Sequence, residues 1–342
     1  MKKLLSLLLI VTIILTGCVR TDNKRLEAEP EDVITDSYGN VFYLPMEVDR
    51  AIVLSSSVYE MICALDKEDV VIGVSDNIDY PASALEKEKF GDFKKPNVEL
   101  LLEAQPDVVF GSGTRLDADI VNQLRDAGIP VVMLNLSDPE TILDEVIFLG
   151  KMLDAEAMAE AFCADVQKLL ELVAERTRDV QPIKVYWEIY TDYKTVGKDS
   201  PGDHLLRLSG VSNIAGQEPT AYPQISDEWL LEADPDMIVK LIPATKGIMG
   251  PFVDDPAGAQ AVSEAIQGRP GWEYVGAVRN GKVLILHGAL STTPLGMAIT
   301  PLFIAKTAYP EQFFDIDPDE KLAWLLETYW DEPLTGIWSW HN

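Results

Sequence analysis

The sequence predicts an α/β protein of two lobes with mainly parallel central sheets, joined by one long α-helix. Short apolar runs alternate with helical segments along the chain, which is typical of parallel α/β sheets. A 14-residue segment occurs twice, and the stretch Asp154 to Arg178 between the copies contains neither Gly nor Pro. With 342 residues, 47% of them hydrophobic, the chain is long enough for two separate cores.

The repeat is the strongest of these observations. Residues 97–110 (NVELLLEAQPDVVF) and 226–239 (SDEWLLEADPDMIV) are identical at seven of 14 positions. Each copy has an N-capping residue, an apolar helical stretch, a proline that ends the helix and an apolar run typical of a buried strand. The offset of 129 residues is too long for a solenoid repeat, so the pattern predicts a duplicated lobe.

The remaining elements follow from hydrophobic periodicity and from turn residues. In the first half we predict strands at Ala51–Leu54, Val70–Val74, Val108–Phe110 and Pro130–Leu134, and helices at Val58–Leu65, Val98–Ala104 and Leu116–Ala127. In the second half we predict strands at Lys184–Tyr190, Met237–Leu241 and Lys282–Leu286, and helices at Gly202–Ser209, Asp227–Ala233, Ala257–Ile266 and Pro318–Thr328.

One long helix is predicted between the halves. Met158, Phe162, Val166, Leu169 and Val173 recur at spacings of three and four and form a single apolar stripe. A helix of 25 residues spans roughly 37 Å, so we expect a stiff connection and little movement between the lobes. The expected organisation is an N-terminal lobe at 33–153, the helix at 154–180 and a C-terminal lobe at 181–342.

The first 17 residues have the pattern of a signal peptide. Lys2 and Lys3 precede an apolar run of 12 residues, Leu4 to Leu15, which is too short to span a bilayer. The run leads into Thr16-Gly17-Cys18, which resembles the lipobox of secreted lipoproteins. That resemblance implies cleavage before Cys18, a lipid on its thiol, and residues 18–32 as a flexible tether on the extracytoplasmic face of the cell membrane. The alternative is an uncleaved anchor helix with a chance cysteine.

Charge and cysteine content narrow the function classes. The net charge of −28 disfavours nucleic acid as a partner and indicates either a solubilising acidic surface or an acidic binding function. Besides Cys18 the chain has only Cys63 and Cys163, both in helical segments far apart in sequence. Two buried free thiols are favoured over a disulfide.

Short motifs in a fixed order resemble a known family. They lie at residues 34–40, 44–45, 50–55, 71–75, 80–81, 96–99, 105–107, 209–215, 222–226 and 280–283. Together they are similar to the extracytoplasmic solute-binding lipoproteins of the metal-chelate class, which bind ferric siderophores, haem or vitamin B12. The resemblance implies a protein that captures a metal chelate between two lobes and delivers it to an ABC importer, a permease dimer with a cytoplasmic ATPase.

The family also implies a docking role for two carboxylates. By motif position these are Glu99 and Glu228, one in each copy of the repeat, which would pair with arginines of the permease. A twofold permease presents two equivalent surfaces, which suits two equivalent carboxylates. The alternative is that both are only favourable first-turn helix charges.

Ligands of two-lobed α/β proteins bind where strand ends meet between the lobes. Candidate ligand-binding residues in the first lobe are Ser56, Ser57, Tyr59, Asn77, Tyr80, Phe93, Thr114 and Arg115. Those in the second lobe are Trp187, Tyr190, Lys198, Tyr222 and His287. Alternatives stay open: the serines could cap a helix, Trp187 and Tyr190 could be core residues, Arg115 and Lys198 could be solvated charges, and His287 could be structural.

The second lobe offers no arginine cluster, which favours a neutral or cationic chelate, such as a corrinoid or a hydroxamate complex, over an anionic one. Haem stays possible through His287, Tyr190 or Tyr222. No CxxC or HExxH spacing occurs, so we predict neither a metal site nor a cofactor.

An enzyme is not predicted, since the chain has no Gly-x-Ser-x-Gly elbow, no P-loop and only three histidines. The competing interpretations are a membrane-tethered extracellular hydrolase and a ligand sensor. We expect a monomer with no nucleic-acid partner. The tryptophan-rich C-terminal segment is expected to pack on the second lobe, with contact to a membrane or a partner as the alternative.

Overall fold

A computed structural model describes residues 33–113 and 116–341. The predicted signal peptide, Cys18, the tether, Thr114 and Arg115 lie outside the described residues. The strands are β1 Val33–Thr35, β2 Val41–Tyr43, β3 Ala51–Val53, β4 Val71–Val74, β5 Glu88–Lys89, β6 Val108–Ser112, β7 Val131–Leu134, β8 Lys184–Glu188, β9 Ser212–Asn213, β10 Met237–Ile242, β11 Val283–His287 and β12 Ser339–His341. The helices are α1 Ser56–Ala64, α2 Val98–Ala104, α3 Ala118–Asp126, α4 Ile142–Met152, α5 Glu156–Thr177, α6 Pro201–Leu208, α7 Asp227–Ala233, α8 Ala257–Gln267, α9 Gly276–Arg279, α10 Pro294–Ala308 and α11 Pro318–Tyr329.

The N-terminal lobe is built on a parallel sheet with strand order β5-β4-β3-β6-β7. Its three central strands are almost entirely apolar and buried because helices cover both faces. The hairpin β1–β2 lies beside the edge strand β7, where the carboxylate of Asp36 accepts a hydrogen bond from the backbone N–H of Met133 at 2.8 Å. This contact satisfies a backbone donor of the edge strand.

The C-terminal lobe repeats that arrangement. Its sheet has the order β9-β8-β10-β11-β12, with β12 antiparallel to β11 and the other pairs parallel. The order β9-β8-β10-β11 corresponds to β4-β3-β6-β7 of the first lobe, and α2 and α7 each lead into the equivalent strand, β6 or β10. The two-lobed α/β fold is therefore confirmed, and the duplication is visible in strand order.

The long helix between the sheets is α5, Glu156–Thr177, slightly shorter at both ends than predicted. Phe162, Val166, Leu169 and Val173 of the predicted stripe are buried, and Met158 is half-buried. This stripe packs against α4 and α10, one from each half of the chain. The helix therefore contributes to both cores.

The sequence pattern missed α4 and α10. Thirteen of the 15 residues of α10 are buried, so it is surrounded by protein on all sides. A helix that is apolar all round has no 3.6-residue stripe, and periodicity therefore cannot identify it.

The C-terminal strap, residues 330–341, connects the lobes. Strand β12 extends the second sheet, which confirms the expected packing there. The strap also reaches the first lobe, because the indole Nε1 of Trp330 donates to the backbone carbonyl of Glu60 at 2.9 Å. Its role is thus wider than packing on one lobe.

Cys63 and Cys163 are both free, as expected, although only Cys163 is fully buried. Among the helices of the described ranges, none combines the length and apolar character needed to cross a bilayer.

Candidate functional site

The seam between the lobes is formed by residues at the ends of strands and by the strap. Tyr80 follows β4 in the first lobe, and its ring packs edge-on against Trp338 with centroids 5.6 Å apart. On its other side Trp338 packs edge-on against His287, at the end of β11, at 5.5 Å. The backbone N–H of His287 donates to the carbonyl of Trp338 at 2.9 Å. A row of three aromatic rings thus crosses from one lobe to the other.

His287 is a neutral imidazole at neutral pH. His287 is only 5% exposed. Burial lowers the pKa of its ring to about 4, although the charge of Asp79 across the seam acts to raise that pKa. The Nδ1 atom is buried and has no hydrogen-bond partner among the described residues. An unprotonated ring nitrogen of a neutral imidazole can accept a hydrogen bond or coordinate a metal.

Two glycines allow close approaches at the end of β11. Gly250 has a φ of +118°, and a Cβ there would lie 3.1 Å from His287 Nε2. A Cβ on Gly288 would lie 3.0 Å from the hydroxyl of Tyr190. Tyr190, which is 42% exposed, therefore lies beside the end of β11 with part of its ring open to solvent.

Sequence reasoning missed Glu60, which lies on α1 at the base of the seam. Its carboxylate is buried and accepts a hydrogen bond from the backbone N–H of Leu295, in the first turn of α10, at 3.2 Å. Burial raises the pKa of Glu60 to about 7, although the Thr293 hydroxyl and the Leu295 N–H favour the ionised form. Because Leu295 is 235 residues away in sequence, no local pattern indicates the contact.

The structure corrects the expected placement of two candidate residues. Tyr59 and Trp187 are fully buried in the cores and do not reach the seam surface. The hydroxyl of Tyr59 lies 3.0 Å from that of Ser83, inside the first lobe. Trp187 is the fourth residue of β8, and both faces of that strand are covered.

The other candidates lie at strand ends but are not brought into the aromatic row by any described contact. In the first lobe Ser56 is exposed at the start of α1, and Ser57 is half-buried beside Ser55. The side chain of Asn77 accepts a hydrogen bond from Ser75. The ring centre of Phe93 lies 5.3 Å from the ammonium of Lys94. In the second lobe Lys198 and Tyr222 are exposed. They lie on two segments that pair with each other, through hydrogen bonds such as Gly197 N–H to the Ala221 carbonyl at 2.9 Å.

Two open depressions lie elsewhere. One, of about 650 Å³, is lined by residues at the amino end of β11 and around α11, including Lys282, Phe314 and His341. The ammonium of Lys282 already donates to the Ala308 carbonyl at 2.7 Å. The other, of about 470 Å³, lies beside the β1–β2 hairpin and Arg125. Neither is lined by a residue predicted to bind ligand.

The two copies of the repeat have the same local structure. In α2 the side chain of Asn97 caps the helix by accepting from the Leu100 N–H, and in α7 Ser226 does so from the Trp229 N–H. Each helix ends in a left-handed residue, Gln105 or Asp234. Because non-glycine residues rarely adopt the left-handed conformation, its occurrence at both helix ends shows how closely the two helix–strand connections correspond.

Equivalent side chains hold these two helix–strand connections to the sheets. Arg50 donates to the carbonyl of the last residue of α2, Ala104, at 2.8 Å, and Lys184 donates to the corresponding Ala233 of α7 at 2.9 Å. Two aspartates, Asp107 and Asp236, then accept from the backbone N–H of those same basic residues. Both helices are therefore held by the same contacts.

Glu99 and Glu228 lie in the first turns of α2 and α7, and both are exposed. Glu103 and Glu232 are also exposed at the other equivalent acidic positions of these helices. The structure thus gives each candidate docking carboxylate a matched neighbour on the same helix.

Comparison with known proteins gives a family. The family model described as "Periplasmic binding protein" matches residues 52–290, which include strands of both sheets and the helix between them. The chain is 26% identical to the uncharacterized ABC transporter substrate-binding lipoprotein YvrC of Bacillus subtilis strain 168, over 90% of this chain and 96% of that protein.

Two further relatives have named ligands. The chain is 24% identical to the molybdate-binding protein MolA of Haemophilus influenzae, over 84% of this chain and 88% of that protein. The structure of MolA bound to molybdate has a TM-score of 0.73 and covers 89% of this chain and 99% of that chain at 20% identity. A cobalamin-binding protein of Halobacterium salinarum is 26% identical over 62% of this chain and 58% of that protein.

The resemblance to solute-binding proteins of ABC importers, drawn from the sequence motifs, is confirmed by these matches. The family's role is to bind a solute for transport rather than to transform it, so the hydrolase interpretation is not favoured. This chain belongs to the periplasmic binding protein family.

Proposed function

We propose that this solute-binding protein captures a neutral or cationic metal chelate in the seam and delivers it to a twofold ABC permease. The single observation that carries the choice of cargo is the row formed by Tyr80, Trp338 and His287. Beside this row the ring of Tyr190 is 42% exposed, and a flat exposed ring suits a planar or macrocyclic complex at a low entropic cost. The cobalamin-binding relative supports a cargo of this kind.

The charges around the row favour the same class. Asp79 opposes the lowering of the His287 pKa by burial, and the charge of Glu332 in the strap adds to burial in raising the pKa of Tyr80. These carboxylates would repel a free oxyanion, which instead needs several hydrogen-bond donors or cations. The molybdate-binding relative keeps a small oxyanion as the competing cargo, and the binding measurement must include it.

His287 is proposed to contact the cargo directly. Its ring is neutral at neutral pH, and its Nδ1 has no partner among the described residues. A neutral imidazole can occupy an exchangeable coordination position of a bound metal or accept a hydrogen bond from the chelator. Tyr190, partly exposed beside Gly288, would form the adjoining wall.

Delivery is proposed to use Glu99 and Glu228 as the docking carboxylates. They are exposed on two helices with matching caps and fastenings, as a twofold partner requires. Exposed ion pairs contribute little energy individually, so these two should mainly set orientation and association rate. Cys18 is proposed to carry a lipid that keeps the protein on the extracytoplasmic face of the membrane.

The test of docking compares two double variants. Glu99→Ala with Glu228→Ala should abolish uptake of the cargo while leaving its affinity for the isolated protein unchanged. Glu103→Ala with Glu232→Ala removes the same charge from the same two helices and should leave uptake intact. Equal uptake by the two double variants would refute the docking role, and it would leave a ligand sensor as the better interpretation.

A further inference from the structure

A buried cluster of charges lies behind the loop that follows β8. Glu188, the last residue of that strand, has no exposed surface. Its carboxylate receives two parallel hydrogen bonds from the guanidinium of Arg269, at 2.8 and 2.9 Å, and one from the ammonium of Lys240 at 2.8 Å. Burial alone would raise the pKa of Glu188, but these donors hold it at about 2. Glu188 and Arg269 are therefore both charged, and their two parallel hydrogen bonds fix their relative orientation.

The guanidinium of Arg269 also organises two aromatic rings. It lies 4.8 Å from the ring centre of Tyr193 and 4.6 Å from that of Trp272. The Tyr193 hydroxyl donates to Asp227 Oδ1 at 3.2 Å, and the Trp272 indole donates to the same oxygen at 2.7 Å. Both rings that stack on Arg269 thus converge on one carboxylate.

Asp227 is the first residue of α7 and directly precedes Glu228. At the equivalent position of α2 the chain has Val98, which cannot accept these bonds. Only the second copy of the repeat therefore links the start of its docking helix to a buried cluster by side-chain hydrogen bonds from aromatic rings.

The same cluster holds the loop that carries Tyr190. The backbone N–H of Tyr193 donates to Glu188 at 2.9 Å, and the ammonium of Lys240 donates to the carbonyl of Ile189 at 2.9 Å. The ends of this short loop are therefore fixed on either side of Tyr190, which faces the seam.

We propose that Arg269 and Asp227 are positioning residues that fix the direction of Glu228 relative to the cargo loop. The proposal rests on the docking role of Glu228 given above. The arrangement makes the second lobe the preorganised half of the docking surface, because the start of α2, which carries Glu99, receives no equivalent bonds from buried aromatic rings among the described residues. A carboxylate that is already oriented loses less conformational entropy when it pairs with a cation.

A double-mutant cycle tests the proposal. The affinity of the full-length protein for its cognate permease–ATPase complex in lipid nanodiscs is measured for Asp227→Ala, Glu228→Ala and the combination. Asp227→Ala should weaken binding by about three- to tenfold in the wild-type background and have no further effect when Glu228 is already alanine. The control Glu232→Ala removes one charge from the same helix and should leave binding unchanged.

A second variant separates positioning from charge. Tyr193→Phe removes one donor to Asp227 but keeps the carboxylate and the ring that stacks on Arg269. It should weaken permease binding in the same direction as Asp227→Ala and lose its effect in the Glu228→Ala background. Thermal unfolding of each variant confirms that it is folded.

Two results would overturn the proposal. If Tyr193→Phe is silent while Asp227→Ala weakens binding equally in both backgrounds, Asp227 acts as an independent surface charge. If Glu228→Ala itself leaves permease binding unchanged, the docking role fails and the positioning role fails with it. The first result refutes only the inference, so the two failures are distinguishable.

Discussion

The carboxylate of Glu60 on α1 accepts a hydrogen bond from the backbone N–H of Leu295 on α10, at 3.2 Å, across the two lobes. The backbone carbonyl of the same glutamate receives the indole N–H of Trp330 from the strap. One residue of the first lobe is therefore bonded to two elements of the second. These contacts and the shared helix α5 are the structural basis for expecting small lobe movements.

This relationship predicts a pH-dependent stability. Burial raises the pKa of Glu60 from 4.5 to about 7, so the folded protein retains a proton that the unfolded chain releases. The stability contributed by this proton is fully present below pH 4.5 and is lost as the pH rises through about 7. The total change is about 3 kcal/mol.

Glu60→Gln should remove this dependence. Urea unfolding is measured at a series of pH values. The free energy of unfolding of Glu60→Gln should rise relative to that of the wild type as the pH increases from 4.5 to about 7. His287 acts with the opposite sign, because its lowered pKa of about 4 costs stability as the pH falls below 6.5. It is present in both proteins and cancels in the difference. Parallel curves for the two proteins would contradict the assignment.

The cargo site predicts a second set of results. His287→Ala and Tyr190→Ala should each weaken cargo binding by about tenfold or more, as expected for well-packed contact residues. Tyr59→Phe, which loses only its contact with Ser83 inside the first lobe, should bind cargo normally. Equilibrium titrations of the purified variants make the comparison. A loss of affinity in Tyr59→Phe equal to that in His287→Ala would place the site elsewhere.

The strap predicts a combined effect on stability and binding. Trp338 is 3% exposed and contacts both Tyr80 and His287. Trp338→Ala should lower the free energy of unfolding by about 3–5 kcal/mol, since it removes a large buried ring, and should weaken cargo binding as well. Trp324→Ala on α11 is the control, because that side chain is 40% exposed and its loss should cost only about 0.5 kcal/mol. Wild-type stability of Trp338→Ala would show that the strap is not part of the fold.

The buried charge cluster of Glu188, Lys240 and Arg269 predicts that a single substitution destabilises the protein more than a double one. Lys240→Met leaves Arg269 alone to compensate two carboxylates, those of Glu188 and Asp192, and should destabilise the protein by about 3–5 kcal/mol. Replacing Glu188 by Gln in addition removes the excess negative charge, leaves Arg269 paired with Asp192 and should restore part of that loss. Chemical denaturation of the single and double variants measures the difference. If the double variant is less stable than Lys240→Met, the carboxylate is not the source of the cost.

Much of the fold was predictable because local signals and tertiary structure agree. Helices α2 and α7 have the predicted bounds, since an N-capping residue starts each and a proline follows shortly after each end. Helix α10 was not predictable, because its burial on all sides removes any periodic stripe. Local pattern identifies elements that have one exposed face, and it fails for those that have none.

The candidate site was only partly predictable. Reasoning from strand ends correctly places Tyr190 and His287 at the carboxyl edge of the second sheet. It misplaced Trp187 because both faces of a parallel strand are buried, so a residue one position before the strand end faces the core. It missed Glu60 and Trp338, whose roles depend on contacts between distant parts of the chain.

Binding of a metal chelate in the seam can be measured on the purified protein. The purified protein is incubated with cobalamin, haem, a ferric hydroxamate complex or molybdate, and bound metal is quantified after gel filtration. We expect one of the three chelates to co-elute unchanged at one per protein, and His287→Ala to lose it. Retention of molybdate alone, or retention of a chelate that His287→Ala and Tyr190→Ala leave unaltered, would contradict it.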